Sequence, residues 1–321
     1  MQVWHDVTDV DPDFGPTVVT IGNFDGVHLG HAHVIQRAHE IAAEHGGLRV
    51  VAVTFDPHPM TVIRPDKAPH WLVSLEERLR LLGEAGADAV LVLRFTPEFA
   101  DVEPEDFVER VLLQGLRPRE IVVGENFRFG KRARGDMTLL TELCDQHDVA
   151  VVGLPLDGAR GETWSSTYVR GRLNEGDVAA AAEALGRPFA VIGTVVQGDQ
   201  RGRELGYPTA NVPVTSSRRA VPADGVYAGW LRRRDVPEAP WWPAAISVGT
   251  NPTFDGTQRR VESYVLDRDD LELYGAQVEV AFVDRLRGME KFTSVETLVD
   301  QMRADVDEAR ALLKVTPEPR S

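Results

Sequence analysis

Across the first half of the chain, short runs of wholly apolar residues alternate with segments in which apolar residues recur every three or four positions. TVVTI (17 to 21) reads as a buried strand, and the residues from His28 to about His45 read as a helix. LRVVAVTF (48 to 55), ADAVLVLRF (87 to 95), REIVVGENF (119 to 127) and VAVVGLPL (149 to 156) continue the extended series. SLEERLRLLGEAG (74 to 86), PEDFVERVLLQGL (104 to 116) and MTLLTELCDQHD (137 to 148) supply the intervening helices. Strands that are apolar on both faces and separated by amphipathic helices predict a parallel sheet covered on both sides, a doubly wound α/β domain. In such domains ligands gather at the carboxyl ends of the strands, which is where the loops GNFDGVHLGH and FDPHP fall.

The pattern changes after a short helical piece, DVAAAAEALGRPF (177 to 189). AVIGTVVQG, DGVYAGWL, PAAISVGT, RVESYVLD and AQVEVAFVDRL are five β-like segments with no helix signal between them, which predicts a small antiparallel barrel or sandwich. SVETLVDQMRADVDEARALLK (294 to 314) is a closing amphipathic helix. The turn Gly186-Arg187-Pro188 marks the expected boundary, giving domains 1–186 and 187–321.

A length of 321 residues also favours two cores over one. The charge divides along the same line: residues 1–186 carry 17 Lys/Arg against 30 Asp/Glu, residues 187–321 carry 18 against 20. A net charge of −15 argues against general affinity for nucleic acid or membrane surfaces, so any anionic ligand must be met by local groups. The one cysteine, Cys144, excludes an intramolecular disulfide framework and fits a reducing compartment; it reads as a half-buried helix residue without a catalytic role. The chain opens with no signal-peptide pattern and contains no apolar run approaching 18 residues, so a cytoplasmic protein is expected.

The sharpest chemical signal is IGNFDGVHLGH (21 to 31). Gly22 and Gly26 are turn positions between strand and helix, and His28 and His31 share a face in the first helical turn. There the unpaired N–H groups and the helix dipole favour an anion such as a triphosphate. Gly30 keeps side-chain bulk away, so that a phosphate could approach the backbone. Spacing alone favours two surface histidines; the strand, turn and helix start around them overturn that in favour of the anion site.

Other segments add to this. In WSSTYVRGRLNEGD (164 to 177), Ser165, Ser166 and Thr167 stand at a helix start with Arg170 about a turn on, either a plain N-cap or a second phosphate clamp. VGENFRFGKRARG (123 to 135) sets Asn126, Phe127, Arg128 and Phe129 just after a strand, either to stack on a planar ring or to pack back on the domain. In FDPHPMTVIRP (55 to 65), Asp56, His58 and Arg64 could touch a substrate, or the prolines could simply stiffen a loop. In QGDQRGRELGYPTAN (197 to 211), Gly198, Gly202 and Gly206 loosen the backbone and Arg201 and Arg203 add charge. Thr209 and Asn211 there present oxygens on one side of an extended segment, a set able to wrap triphosphate and hold Mg²⁺, although these residues alone favour a plain Gly-rich hairpin turn. The Lys-Ser/Thr ending of a P-loop is absent. Glu262, alternating with Val261 and Ser263, shares a face with Tyr264 and Leu266, as a rim residue or as a base near a substrate hydroxyl.

In their order along the chain, IGNFDGVHLGH, FDPHP, VGENFRFG, SSTYVR, RGRELGYPTAN, SVGTNPTF and ESYVLD resemble the prokaryotic bifunctional riboflavin kinase/FAD synthetase family from Thr17 to the terminal helix. GVHLGH is shared among nucleotidylyltransferases generally; RGRELGYPTAN followed by SVGTNPTF is more specific to flavokinases. The resemblance implies a Rossmann-like adenylyltransferase followed by a β-barrel kinase, making FMN from riboflavin and ATP, then FAD and pyrophosphate from FMN and a second ATP. It implies Glu262 as the kinase base, with Thr209 and Asn211 as ligands of Mg²⁺ and phosphate. It further implies that His28 and His31 stabilise ATP phosphate charge, with Ser166, Thr167 and Arg170 as the partner clamp. Gly22, Phe24, Gly30, Asn126, Gly198 and Arg203 complete the expected ATP contacts, and Asp56, Arg64, Phe127 and Arg128 the flavin contacts. FMN and FAD are then substrate and product, nucleic acid and membranes are not partners, and self-association is left open. Tyr207, Tyr264 and Asn126 depart from the commonest family pattern, where Phe, His and Asp respectively are frequent.

Overall fold

A computed structural model describes residues 1–155, 158–159, 162–198, 205–214, 218–250 and 259–319. By their internal contacts these residues form two compact units, Met1–Ser166 and Thr167–Ser321.

The first unit is built on β1 (Gln2–Trp4), β2 (Thr17–Ile21), α1 (Leu29–Glu44), β3 (Arg49–Asp56), α2 (Pro59–Ile63), α3 (Leu75–Glu84), β4 (Ala89–Arg94), α4 (Pro97–Ala100), α5 (Pro104–Asp106), β5 (Pro118–Gly124), α6 (Met137–Asp145) and β6 (Ala150–Leu154). The six strands form one parallel sheet in the order β1-β4-β3-β2-β5-β6. Val18, Val19, Val50, Val51, Ala52, Val53 and Val90 are fully buried because helices cover both faces of the sheet. Besides the short helices α2 and α4, several features differ from the expectation. Edge strand β1, three residues beside β4, is too short to show a period. The segment Phe107–Leu116, expected as ordinary helix, is wound with π-type turns and ends on Arg117 in the left-handed region, φ 48°. A two-stranded ribbon, β7 (Gly158–Ala159) with β8 (Glu162–Thr163), follows β6.

In the second unit α7 (Ser166–Glu175) and α8 (Val178–Leu185) precede β9 (Phe189–Thr194), β10 (Ala210–Pro213), β11 (Gly225–Arg233), β12 (Trp242–Gly249), β13 (Arg260–Val265), β14 (Gln277–Arg287) and α9 (Val295–Leu313). The strands form an antiparallel sheet in the order β10-β13-β12-β11-β14-β9. Its two edges nearly meet, since Val196 just past β9 donates its N–H to the Asn211 carbonyl at 2.9 Å. The barrel alternative therefore holds over the sandwich. A sixth strand, β10, joins the five expected ones: it lies at the end of the Gly-rich segment whose turn residues masked its short apolar period. Ser294 opens α9 by accepting from the N–H of Thr297.

Along β13 the buried residues Val261, Ser263 and Val265 face the barrel interior, and Glu262 and Tyr264 alternate to the outer side. On that outer side α9 packs through Val306, Ala309 and Leu313 against Ala228, Trp230, Ala245 and Ala281. Asp305 fastens the helix to β14: its two carboxylate oxygens accept from Nε and Nη2 of Arg287, each at 2.8 Å, and Gln301 Nε2 adds a third bond at 2.9 Å.

Candidate active sites

Strand β2 ends at Ile21, and the chain must reverse within seven residues to enter α1. Gly22 begins the turn, donating its N–H to the Val53 carbonyl at 3.0 Å. Phe24 and Val27 hold φ of 48° and 39°, values that cost a non-glycine residue energy unless its surroundings fix them. The fixing agent is Asp25, 1% exposed, whose carboxylate accepts the N–H groups of Leu72 (3.0 and 3.2 Å) and Val73 (3.3 Å). A strained turn anchored at its centre delivers His28 as the N-cap of α1 and His31 into the first turn.

The two imidazoles stack, centroids 3.6 Å apart and planes 25° from parallel, and Phe24 meets His31 edge-on at 5.1 Å. This stack gives Gly30 its reason. A Cβ there would lie 3.1 Å from the His28 ring, so the glycine also makes room for the histidine. Ser166 likewise differs from a simple cap: its hydroxyl donates to the Asp25 carbonyl at 2.8 Å, a bond within the first unit. Thr167 is exposed and Arg170 half-buried further along α7.

The remaining candidates of the first unit sit at strand ends. Asp56 closes β3 and accepts the Phe95 N–H at 2.9 Å. His58 Nδ1 accepts the Met60 N–H at 3.2 Å, so it caps α2, and Arg64 ends that helix exposed. After β5, Asn126 and Arg128 are exposed. Arg128 pairs with Asp136 at 2.9 Å. Phe129 is buried, and Phe127 stacks on it at 5.4 Å and packs against the core, so these rings do pack back on the domain while Phe127 keeps a half-exposed face.

In the second unit the register assembles the site. Asn211 of β10 lies opposite Glu262 of β13, and Glu262 opposite Ser247 of β12, placing three polar residues in a row across the outer face. Asn211, 5% exposed, donates from Nδ2 to the Thr209 carbonyl (3.0 Å) and to Thr209 Oγ1 (3.2 Å), which leaves its Oδ1 as the acceptor end. Gly198 is required by this side chain, because a Cβ there would sit 2.7 Å from the carboxamide. A cavity beneath α9 is walled by Tyr207, Thr209, Ser247, Glu262 and Tyr264 on one side and by Leu298, Met302 and Val306 on the other. The Tyr264 phenol is held above its ordinary pKa by burial first, then by the nearby Asp267 carboxylate. Arg203, expected to contact ATP, lies outside the described residues.

Ser247, Arg287 and Asp305 border this cavity too and were not singled out from the sequence. Ser247 stands inside the SVGT signature and could have been read there. The Arg287–Asp305 pair joins residues 18 apart on different elements and leaves no local pattern.

Residues 11–168 match the FAD synthetase family and residues 185–313 the riboflavin kinase (flavokinase) family. A bifunctional riboflavin kinase/FMN adenylyltransferase of Escherichia coli K12 is 37% identical over 299 residues, 93% of each chain. Its Bacillus subtilis 168 counterpart is 34% identical over 307 residues, 91% of each. A solved structure from Streptococcus pneumoniae, described as a macrolide-efflux protein, superposes with a TM-score of 0.84 at 32% identity, covering 96% of this chain and 98% of that one. Among the described residues no helix is long and apolar enough to cross a membrane.

Proposed function

The chain belongs to the bifunctional riboflavin kinase/FMN adenylyltransferase family, an N-terminal FAD synthetase domain joined to a C-terminal flavokinase domain using ATP, and from that premise we propose how its residues divide the two reactions. The observation that carries the assignment is the row Asn211–Glu262–Ser247 across neighbouring strands, of which Glu262 and Ser247 line the cavity beneath α9.

In the kinase step Glu262 takes the proton of the riboflavin 5′-hydroxyl as that oxygen bonds the γ-phosphorus of ATP; the bond to the β-phosphate oxygen breaks and ADP leaves. The isoalloxazine ring enters between the strands and α9, where Tyr207, Tyr264, Met302 and Leu298 offer apolar and aromatic surface. Thr209 and Asn211 present hydroxyl and carboxamide oxygens, the hard donors that Mg²⁺ prefers, and would hold the ion together with ATP oxygens and water. When bound, Mg²⁺ neutralises charge on the phosphates. Gly198 and Arg203 complete the phosphate cradle.

In the adenylylation step an FMN phosphate oxygen attacks the α-phosphorus of the second ATP and pyrophosphate leaves. The nucleophile arrives ionised, so the chain's work is alignment and charge neutralisation. His28, His31 and the N–H groups at the start of α1 meet the phosphates, with Gly22, Phe24 and Gly30 shaping the turn. Ser166, Thr167 and Arg170 form the second arm and Asn126 a nucleotide contact. Asp56, Arg64, Phe127 and Arg128, around the carboxyl edge of the sheet, receive the flavin. We place the module boundary at the Gly186-Arg187-Pro188 turn, and the buried, unbridged Cys144 supports a reducing, cytoplasmic setting.

The test is a pair of variants assayed on riboflavin, FMN, ATP and Mg²⁺ by chromatography. Glu262→Ala lowers FMN formation by about 10²–10⁴-fold and leaves FMN-to-FAD conversion intact. His28→Ala with His31→Ala does the reverse, by about 10²–10³-fold. Equal loss of both steps in either variant defeats the division of labour.

A further inference from the structure

Arg78 lies in the first unit with 1% of its surface exposed. It projects from α3 beneath the carboxyl end of β3. Its Nη1 donates to Thr54 Oγ1 at 3.2 Å and to the Phe55 carbonyl at 2.9 Å. Thr54, wholly buried, passes the bond on, donating its hydroxyl to the Asn23 carbonyl at 3.1 Å. Helix α3 is thereby linked through β3 to the turn that carries Phe24 and presents His28. Nε and Nη2 of Arg78 have no hydrogen-bond partner among the described residues.

Such a group is poorly explained by stability. A buried cation is costly to desolvate, and an apolar side chain of similar volume is often neutral or better in its place. Burial pulls the Arg78 guanidinium below its ordinary pKa, and the carboxylates of Asp25 and Asp56 oppose that pull. Asp25 is itself the anchor of the turn, and Asp56 ends the strand at the proposed flavin edge. One side chain therefore couples, by bond or by charge, to the residue before Phe24, the residue after it and the end of β3.

We propose that Arg78 is a positioning residue for adenylyl transfer: acting through Thr54 and Asn23, it fixes the height of the histidine turn relative to the end of β3, so that phosphate donor and FMN acceptor align. It touches no substrate. Its effect falls on the alignment of attack, and displacements of about 1 Å suffice to cost 10²-fold in rate.

The inference rests on the assignment of the histidine turn to adenylylation, and the experiment keeps the two apart. Arg78→Met, Arg78→Lys, Thr54→Val and His28→Ala are made in the full chain. Each is assayed for both reactions at a temperature well below its melting transition. Arg78→Met lowers kcat for FAD formation about 30-fold or more while KM for ATP stays within about threefold, because the groups that touch ATP remain. Arg78→Lys, which can still donate to Thr54, recovers at least a third of the parent kcat. Thr54→Val, isosteric and with the charge intact, lowers kcat about fivefold or more. Riboflavin kinase activity is unmoved in all three. A merely structural arginine would change the melting temperature and leave kcat and KM of the folded enzyme at parent values, which overturns the proposal. Should Arg78→Met fail to fold, Thr54→Val decides: a parent-like kcat overturns it and a reduced kcat with unchanged KM supports it. Parent-like FAD formation in His28→Ala removes the site assignment, whatever Arg78 does.

Discussion

The cavity beneath α9, where we propose the flavin binds, is bordered by one buried ion pair, and Asp305→Ala tests how much it depends on that pair. Asp305 is 5% exposed and binds the Arg287 guanidinium through both oxygens at 2.8 Å, a geometry that also holds Arg287 charged to higher pH than usual. Removing one member of a buried pair costs about 3–5 kcal/mol, chiefly because the other charge is left behind. Arg287 keeps 18% of its side chain exposed, so water can partly re-solvate it and the lower end, about 3 kcal/mol, applies. In a unit of this size that lowers the melting midpoint by about 6–12 °C. The loss is concentrated at α9, which supplies Leu298, Met302 and Val306 to the cavity wall. KM for riboflavin therefore rises more than kcat falls, and FMN adenylylation in the same sample is unchanged. Calorimetry of the full chain beside steady-state kinase assays measures both. The double variant Arg287→Met with Asp305→Leu removes both charges and recovers most of the lost midpoint. An Asp305→Ala midpoint within about 2 °C of the parent, or a double variant no better than the single one, refutes the reasoning.

Two further outcomes follow from contacts at specific residues. Gly30→Ala places a Cβ 3.1 Å from the His28 imidazole, so the ring must shift by a few tenths of an ångström against His31; FAD formation falls about tenfold with riboflavin kinase unaffected, as coupled chromatographic assays will show. The Cys144 thiol, buried and beside Asp145, is pushed up to about 11 from an ordinary 9, so the folded state favours the protonated form. Its contribution is whole below pH 9 and declines as pH rises towards 11, with a slope of up to about 1.4 kcal/mol per pH unit. Denaturant titrations across that window should flatten in Cys144→Ala, and a slope identical to the parent's excludes the thiol as the source.

Periodicity made most of the architecture legible. The strands of the parallel sheet are nearly continuous runs of Val, Ala and Leu because both faces are buried, and no other arrangement of this chain calls for them. What it missed were elements too short or too mixed to carry a period: β1, and β10 at the end of a glycine-rich segment. The histidine pair was legible from its turn, but a second constraint on Gly30 was not. It lies in a ring stack set by the strained backbone at Phe24 and Val27, and those angles follow from the Asp25 anchor to Leu72 and Val73, some 47 residues away. Alternation along β13 put Glu262 and Tyr264 on one face; only the register supplied Asn211 and Ser247 as the neighbours of Glu262.

On the proposed assignment the two units meet anionic nucleotides by different physical routes, and the difference explains which residues could be read in advance. A parallel sheet ends all its strands at one edge, so loops and a helix start converge there without further support, and a local motif such as GVHLGH can announce the site. A small barrel has no such edge. Its interior fills with side chains such as Tyr227, Ile246, Val261 and Phe282, so polar chemistry must stand on the outside of the wall. An outer face is wet unless something roofs it, and here the roof is α9, held down by Asp305 and by the apolar contacts of Val306, Ala309 and Leu313. On the proposed assignment the closing amphipathic helix is half of the kinase site, and a lesion in it acts on flavin affinity before it acts on phosphoryl transfer.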